Sequence, residues 1–588
     1  MFDLEQKKVE ELIKNFTRQN NLPEISIQWN WIPFSGHWGI STSLFSLAAA
    51  EARLKQLKLN VPLRANELAI ELAEFIGSPS GFEKVEPVNG YLNLYFSQAE
   101  YARRVLDEVL DKKADFGRPD RKNEKIMVEF SQPNTHKAFH VGHLRSAILG
   151  DTLARILDFA GYDVVRANYP GDMGLHVIKW LWCYQKYHAG EKPDENITQW
   201  MGKIYAEANG KLETNSNLET EIRALYKRWD QRDPEIVKLW EETREWSLQG
   251  FYQIYDTLNI HFDVYYFNSQ MEKPGKEIVQ ELIDKNIATD ERPEGAVIVK
   301  IDDVLGLKKE QYRVLVVLRS DGTALYATED LALVKQKFSD YPDLKKSLYI
   351  VDVRQSLHFT QVFKTMEIAG YAWAKQCEHV PYELVSLPGN VVMASREGTV
   401  VLLEDLISEA TKRAFEVVQE KNPDMSEDQK WATARAVGIG AIKYPMQARE
   451  NTKVVTFDWE SALDFNGQAA PYIQYAYVRC GSILKKAGNI VINPPEISYE
   501  LSPQEIQLID LISRFSREVE RAASEYRTIQ IANFAYEMAK TFNNFYTHCP
   551  VLSEGEPIKS TRLNLVLATR QVLKNNLTLL GITAPEAM

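Results

Sequence analysis

Three of the ten histidines in the sequence, His136, His140 and His143, fall within eight residues of one another. Gly142 stands between the last two. Imidazole N–H groups can donate hydrogen bonds to phosphate oxygens, and a glycine lets a nucleotide approach the backbone because it has no Cβ. A metal site and a loop without chemistry are the alternatives. No Asp, Glu or Cys accompanies the histidines at ligand spacing, so we expect no protein-bound metal.

The pattern around this cluster predicts a strand, a loop and a helix in succession. Residues 126–130 are a short apolar run, and apolar residues recur at helical spacing over 144–160. Gly161 supplies a helix stop, and residues 164–165 begin a second strand. Such a unit belongs to a parallel sheet, where ligands bind at the carboxyl ends of the strands and phosphates favour the helix N-terminus. This position favours nucleotide binding over the alternatives.

The rest of the pattern predicts an α/β protein with two additional domains. We expect a small α+β domain at residues 1–117, an α/β domain at 118–460 with a helical insertion around 181–294, and an all-helical domain at 461–588. A second strand-to-helix passage at 348–369 would supply the other half of the parallel sheet.

Composition limits the setting in which the protein works. The chain has 588 residues, of which 45% are hydrophobic and 26% charged, as is ordinary for a globular protein. We expect no membrane partner, because no apolar run approaches the roughly 18 residues that span a bilayer. Four cysteines without a CxxC pair predict a reducing cytoplasm. The net charge of −12 counts against a protein coated in nucleic acid but allows RNA in a basic groove.

Several stretches of the sequence resemble one family. Residues 129–147, Glu-Phe-Ser-Gln-Pro-Asn-Thr-His-Lys-Ala-Phe-His-Val-Gly-His-Leu-Arg-Ser-Ala, resemble the catalytic signature of class I arginyl-tRNA synthetases, and so do the following Asn-Tyr-Pro-Gly-Asp-Met-Gly at 168–174. Further similar stretches follow in the family's order, at 326–332, 352–359, 438–444, 467–476 and 579–588. The likeness therefore covers nearly the whole chain.

The resemblance implies a class I synthetase with a Rossmann-type parallel sheet, an N-terminal tRNA-contacting domain and a C-terminal anticodon-binding bundle. It implies a ligase that forms arginyl-adenylate from arginine and ATP and transfers the arginine to the terminal adenosine of tRNA(Arg). Mg²⁺ would arrive bound to ATP rather than in a protein cage. Family members commonly need tRNA for the first step, and the likeness further implies a monomer without an editing domain.

The resemblance assigns two sets of residues to ATP. The set for the phosphates is His140, Gly142, His143, Lys137 and Arg396, and the set for the adenosine is His358, Met393 and Ser395. The family's second signature, a loop with two lysines, corresponds here to residues 392–398, where Arg396 is the only cation. Members without the loop lysine often carry one before the histidine motif, where Lys137 stands. We expect Lys137 and Arg396 to share the phosphates, since cations must close on the leaving pyrophosphate.

Arginine makes a distinct physical demand, because its guanidinium is planar and permanently charged and needs carboxylate acceptors when buried. Tyr326 and Asp330 are four residues apart at a predicted helix start, so they share a face. Their spacing alone also fits a packed tyrosine and an acid that suits the helix dipole. By resemblance, Asp330 binds the guanidinium and Tyr326 bounds the pocket, and the other arginine-binding residues are Glu129, Gln132, Asn134 and Gln355. The family often has an acid where Asn268 stands here, which leaves the number of carboxylate acceptors open.

The RNA contacts rest on aromatic and basic residues. Tyr472, Tyr475 and Arg479 would stack on and hydrogen-bond flipped anticodon bases, although core packing of the same helix explains their spacing equally well. In the N-terminal domain, the residues that resemble a tRNA-contacting strand are Asn93, Phe96 and Gln98.

Two other function classes remain open from the sequence. One is a free-standing nucleotidyltransferase that adenylates a small acid without RNA. The other is a catalytically silent relative that binds RNA, suggested by the atypical loop at 392–398.

Overall fold

The computed structural model describes residues 2–56, 58–139, 141–193, 196–215, 217–387, 391–392, 402–488 and 497–588. The chain forms two compact units, one of Met1–Phe116, Ala476–Ser516 and Glu537–Asn575, the other of Gly117–Tyr475, Arg517–Tyr536 and Asn576–Met588. Within the described ranges, no helix is both long enough and apolar enough to cross a membrane. The three-domain division expected from the sequence stays a prediction.

The secondary structure is numbered in chain order. The strands are β1 (Trp29–Trp31), β2 (Gly39–Ser43), β3 (Phe82–Val88), β4 (Tyr91–Phe96), β5 (Lys125–Glu129), β6 (Asp163–Asn168), β7 (Val264–Tyr265), β8 (Ala288–Asp290), β9 (Val297–Lys300), β10 (Val314–Leu318), β11 (Leu344–Asp352), β12 (Cys377–Tyr382), β13 (Val385–Leu387), β14 (Val391–Val392) and β15 (Val455–Thr456). The helices are α1 (Asp3–Gln19), α2 (Phe45–Leu54), α3 (Val61–Ile76), α4 (Gln98–Lys112), α5 (Val141–Phe159), α6 (Leu175–Tyr187), α7 (Ile197–Thr214), α8 (Leu218–Asp230), α9 (Pro234–Thr257), α10 (Asn268–Asp284), α11 (Ile301–Val304), α12 (Tyr326–Asp340), α13 (Ser356–Ile368), α14 (Leu403–Lys421), α15 (Glu427–Gln447), α16 (Trp459–Ala462), α17 (Ala470–Ala487), α18 (Pro503–Ser513), α19 (Phe515–Glu525), α20 (Ile529–His548) and α21 (Ile558–Leu579).

The first unit contains an antiparallel sheet of order β1-β2-β4-β3. Alternation along β4 directs Leu92, Leu94 and Phe96 into the core, while Tyr91 is exposed. Helix α3 begins at Asn60, whose side chain accepts a hydrogen bond from the Leu63 N–H. The predicted mixture of helices and an alternating strand at the N-terminus is confirmed.

A parallel sheet of order β12-β11-β5-β6-β7 lies in the second unit. Its central strand β5 buries residues 126–129, as expected for a strand with neighbours on both sides and helices on its faces. The passages β5–α5–β6 and β11–α13–β12 confirm the α/β class predicted from the two strand-to-helix patterns. Helices α6 to α9 lie between β6 and β7 in the chain, and they form a core of their own that includes Trp180 and Trp240.

Helix α5 packs closely on the strand that precedes it because Gly150 has no side chain. A Cβ built at Gly150 would lie 2.1 Å from Cγ of the buried Phe130, a distance that no side chain tolerates without movement. This glycine therefore sets the distance between α5 and the end of β5, from which the histidine-containing loop begins.

Replacing Gly150 with alanine is expected to lower the free energy of unfolding by about 1–3 kcal/mol, because the methyl group overpacks the core at Phe130. Gly210→Ala is the matched control, since Gly210 is also helical and a Cβ at that position would meet no atom within 4 Å. That substitution is expected to stabilise by about 0.5–1 kcal/mol. Urea unfolding measures both, and equal effects would contradict the packing described.

Candidate functional site

The loop after β5 is held at the carboxyl edge of the parallel sheet by backbone and side-chain hydrogen bonds. The Phe130 N–H donates to the Ala167 carbonyl at 3.1 Å, and the Gln132 N–H donates to Asn168 Oδ1 at 3.2 Å. Ser131, Gln132 and His136 have positive φ angles of 78°, 46° and 59°, so the loop turns sharply where the strand ends. Both β5 and β6 thus direct polar groups to one edge.

The three histidines of the cluster do not share one environment. His136 is fully buried, and its Nδ1 and Nε2 lie 2.9 and 2.8 Å from Thr135 Oγ1 and Thr243 Oγ1. Burial lowers its pKa well below the ordinary value, so it serves as a neutral structural residue. Gly142 and His143 lie in the first turn of α5, and the half-buried His143 ring is 5.3 Å from that of Phe139. His140 lies outside the described residues.

Asn134 and Gly171 join the loops that follow β5 and β6. They form a parallel bridge, in which the Thr135 N–H donates to the Gly171 carbonyl at 2.9 Å and the Gly171 N–H to the Pro133 carbonyl at 3.1 Å. A Cβ at Gly171 would lie 2.4 Å from Asn134 Oδ1. The glycine therefore leaves space for the side chain of Asn134, one of the residues predicted to bind arginine.

Asp172 fixes the start of α10, 97 residues away in the chain. Its Oδ1 accepts from the Ser269 N–H at 2.9 Å, and its Oδ2 accepts from Ser269 Oγ at 2.7 Å and from Arg244 at 3.2 Å. It does not cap the next helix, because α6 begins after Gly174 without a side-chain cap. Asp172 instead positions Asn268, the residue next to Ser269.

Glu129 is neutralised inside the protein. Its carboxylate forms an ion pair with Lys337 of α12, and the side chains of Glu129 and Lys337 are 2% and 0% exposed. Gln132 donates to Glu129 Oε1 at 2.7 Å, and the Lys337 ammonium lies 3.7 Å from the ring centroid of Tyr349. Two predicted arginine-binding residues, Glu129 and Gln132, are thus in contact, and the charge of the first is already compensated by a lysine that sequence reasoning missed.

Tyr326 and Glu329 lie in the first turn of α12, and Asp330 follows directly. Tyr326 is 72% exposed, so the alternative interpretation of a packed tyrosine is wrong. Asp330 Oδ2 lies 2.5 Å from His358 Nε2 on α13, which brings a predicted arginine-binding residue and a predicted adenosine-binding residue together. Gln355 is exposed in the turn Val353–Gln355 just before α13.

Carboxylates concentrate around Tyr169 at this edge. Asn268 donates both to Glu329 Oε2 at 2.5 Å and to the Tyr169 hydroxyl at 2.9 Å. The pKa of Glu329 is raised to about 8, chiefly by burial; the Asn268 hydrogen bond lowers it, and the charges of Asp330, Glu272 and Asp172 raise it. Burial likewise raises the pKa of Tyr169 well above its usual range, helped by Asp330, Glu329, Glu129 and Asp172.

Within the described part of the chain, no lysine or arginine forms an ion pair with Glu329 or Asp330. The partner of Glu329 is an amide and that of Asp330 is an imidazole. Two adjacent, partly buried carboxylates without a resident cation form a site that is electrostatically suited to a cationic ligand. Sequence reasoning identified Asp330 and missed Glu329, although the adjacent acids at the helix start were a visible signal.

Lys137 lies in the loop between β5 and α5, near the helices that follow β6. Its ammonium is 5.1 Å from the Tyr205 ring centroid on α7. Burial and then the charge of Lys137 lower the pKa of His176 on α6 to about 3. The other residues predicted for the loop cation and the adenosine, Arg396, Met393 and Ser395, lie outside the described residues.

The prediction that Phe96 of β4 contacts RNA is wrong. Phe96 is fully buried and stacks on Phe2 with ring centroids 3.9 Å apart, so its face is not available to a base. Asn93 lies on the other side of β4 and is half-buried, while Gln98 begins α4 and donates to the Gly36 carbonyl at 2.9 Å. Contacts of Asn93 and Gln98 with RNA stay predictions.

The aromatic and basic residues of α17 are partly accessible. Tyr472 and Tyr475 are half-buried, and the Tyr472 ring lies 5.5 Å from that of Tyr536. Arg479 donates to Asn543 Oδ1 at 2.6 Å. Their contacts with RNA stay predictions.

Cys183, His188 and Glu207 are the group among the described residues that could hold a metal ion, with ligand atoms within 4.8 Å of one another. The two ring nitrogens of His188 lie 2.8 Å from Glu207 and 3.0 Å from Glu191. These hydrogen bonds account for the approach of His188 and Glu207.

Comparison with known proteins identifies a family for each of two successive parts of the chain. Residues 105–459 match the family described as tRNA synthetases class I (R), catalytic domain, and residues 473–588 match the DALR anticodon binding domain. The arginine–tRNA ligase of Clostridium perfringens is 36% identical over 530 residues, covering 89% of this chain and 91% of that protein. The ligase of Clostridium acetobutylicum is 34% identical over 527 residues, covering 89% and 91%.

Solved structures agree with this placement. The arginyl-tRNA synthetase of Thermus thermophilus is similar with a TM-score of 0.76 and 28% identity, covering 99% of this chain and 100% of that one. The Plasmodium falciparum enzyme has the same fold, with a TM-score of 0.72 at 20% identity and 99% of each chain covered.

Replacing Lys337 with methionine is expected to lower the free energy of unfolding by about 3–5 kcal/mol, because it leaves the Glu129 carboxylate buried without its cation. Adding Glu129→Gln to this variant should recover most of the loss, since neither position of the pair then carries a buried charge. Urea unfolding measures both. Arg223→Met, which breaks an exposed pair with Glu219, is the control and should have no measurable effect. A neutral result for Lys337→Met would contradict the buried pair.

Proposed function

The chain belongs to the class I arginyl-tRNA synthetase family and is an arginine–tRNA ligase, and we propose that the acids at the start of α12 select its amino acid. The observation that supports this most directly is the pair Glu329 and Asp330, which lacks a lysine or arginine partner in the described part of the chain. A guanidinium offers five N–H donors in a planar fork and keeps its charge at every physiological pH. It is therefore the amino-acid side chain that compensates this site best.

The reaction has two steps. The arginine carboxylate attacks the α-phosphate of ATP, and pyrophosphate leaves. The 2′ hydroxyl of the terminal tRNA adenosine then attacks the adenylate carbonyl, and AMP leaves. Mg²⁺ reaches the site bound to ATP and neutralises phosphate charge. No covalent bond to the protein forms, so the protein acts by holding the reactants in line and by stabilising charge in the transition state.

The ATP phosphates occupy the start of α5. The first-turn residues Gly142 and His143 contact them, together with backbone N–H groups at the start of the helix. Lys137, in the loop that precedes α5, approaches the leaving pyrophosphate. His140 and Arg396 are the remaining residues of the phosphate set. His358 already contacts Asp330 through Nε2, which leaves its Nδ1 and ring face for the adenosine beside Met393 and Ser395.

The arginine main-chain groups are held by polar side chains of the loops. Asn134 and Gln132 lie at the carboxyl edge of the sheet, and Gln355 lies exposed at the start of α13. The exposed ring of Tyr326 covers the aliphatic part of the side chain while Asp330 binds the guanidinium.

The tRNA is bound by the parts outside the parallel sheet. The match of residues 473–588 to an anticodon binding domain supports base contacts from Tyr472, Tyr475 and Arg479, and Asn93 and Gln98 contact the outer corner of the tRNA. The protein works as a monomer in the cytoplasm and activates arginine when tRNA(Arg) is bound.

ATP–pyrophosphate exchange with arginine, measured with and without tRNA(Arg), tests this function. We expect exchange with tRNA present and little without it. Exchange that is indifferent to tRNA would favour the free-standing nucleotidyltransferase, and no exchange under either condition would favour the silent RNA-binding relative.

Lys137→Ala is expected to slow pyrophosphate exchange about 100-fold with little change in the KM for arginine, because the lysine acts on charge that develops in the transition state. Lys203→Ala is the control, since Lys203 is exposed on α7. An unchanged rate for Lys137→Ala would show that this lysine has no part in the chemistry.

A further inference from the structure

Glu329 is a carboxylate to which neither the sequence motifs nor the resemblance assigns a contact with the substrate. It lies in the first turn of α12, one residue before Asp330. From its position and partners we infer that Glu329 is a second guanidinium-binding carboxylate and that Asn268 positions it. This inference rests on the proposed function, because it assigns a further residue to the same arginine site.

The position of Glu329 is fixed by the close approach of α10 and α12. A Cβ at Gly275 of α10 would lie 2.4 Å from the Thr328 carbonyl oxygen, so only glycine allows this approach. Asn268 begins α10, is buried, and donates to Glu329 Oε2 at 2.5 Å. Because Asp172 binds Ser269 through both the backbone and the hydroxyl, the Asn268 side chain has a fixed origin. The carboxylate is therefore oriented before any ligand arrives.

The negative charges around Glu329 favour the binding of a cation at this position. Acids face it from its own helix (Asp330), from α10 (Glu272) and from the loop after β6 (Asp172), and the Tyr169 hydroxyl shares its amide partner. An amide donates one hydrogen bond but cannot neutralise a charge. Burial, and to a smaller extent these acids, raise the pKa of Glu329. A guanidinium can donate to Glu329 and Asp330 at once, which removes the repulsion between them.

The second acid lies on α12 because position 268, at the start of α10, holds an amide rather than a carboxylate. An amide at position 268 cannot accept two N–H groups with the strength of a carboxylate. The carboxylate is found instead at the other end of the hydrogen bond that Asn268 donates, 2.5 Å away. The charge and the amide of this pair could therefore exchange places without a change in the net charge of the pocket.

The test uses Glu329→Gln, which keeps the size of the side chain and its hydrogen bond to Asn268 but removes the charge. In aminoacylation we expect the KM for arginine to rise about 10- to 100-fold, as for loss of a charged hydrogen bond, with the KM for ATP within about 2-fold. Citrulline, the neutral analogue, should bind about equally to both proteins, so the preference for arginine over citrulline should fall by the same factor.

The double variant Asn268→Glu with Glu329→Gln places the carboxylate at position 268 and the amide at position 329, so the two hydrogen-bonding partners exchange places. It should return the KM for arginine to within about 5-fold of the wild type, because the pocket regains two acids. Glu277→Gln, on the exposed side of α10, is the matched charge control and should change neither KM.

Three outcomes would overturn the inference. In the first, Glu329→Gln keeps its arginine KM and its preference over citrulline while Asp330→Asn loses both, so the arginine site stands without Glu329. In the second, Glu329→Gln loses arginine and ATP binding together and the double variant does not recover, which shows a merely structural role. In the third, the wild type does not charge tRNA with arginine at all, and the proposed function falls with the inference.

Discussion

Two adjacent carboxylates, Glu329 and Asp330, are held at the start of α12 in a partly buried site where the described residues supply an amide and an imidazole but no lysine or arginine as partner. Holding Glu329 there costs free energy in the empty protein, since burial and the neighbouring acids both disfavour its charged form. The contacts around them serve to keep that arrangement. Asp172 fixes the first residues of α10, Gly275 lets α10 approach α12, and Asn268 orients Glu329. A permanently charged planar ligand recovers the free energy that this arrangement costs.

Glu129 offers a contrast, because it is an acid whose charge is balanced by a lysine inside the protein. Glu129 also stands at the carboxyl edge of the sheet, but Lys337 neutralises it and Gln132 donates to it. Glu129 and Glu329 belong to the same unit, and both lie near Tyr169. Glu129 is balanced within the protein and contributes to the rigidity of the site, whereas the pair on α12 has no lysine or arginine partner among the described residues. In the proposed function the substrate balances that pair, and selectivity for arginine would follow from this difference.

Periodicity and motif order predicted the scaffold correctly, and local reasoning failed where the deciding contact came from far along the chain. The two strand-to-helix passages and the alternating strand β4 were readable because neighbouring residues determine them. The role of Phe96 was predicted wrongly, because only the packing of Phe2 against it shows that its face is covered. The contact of Asp172 could not be read from its neighbours either, because its partner Ser269 lies 97 residues away. Glu329 was overlooked because its partner Asn268 lies 61 residues away on another helix.

Calorimetric titration of arginine at pH 7, in two buffers of different ionisation enthalpy, measures how many protons binding releases and so tests the central claim directly. The empty site holds Glu329 mostly protonated, because its pKa is about 8, and a bound guanidinium favours the charged form. The account predicts release of close to one proton by the wild type and of none by Glu329→Gln. Equal proton counts for the two proteins would contradict it.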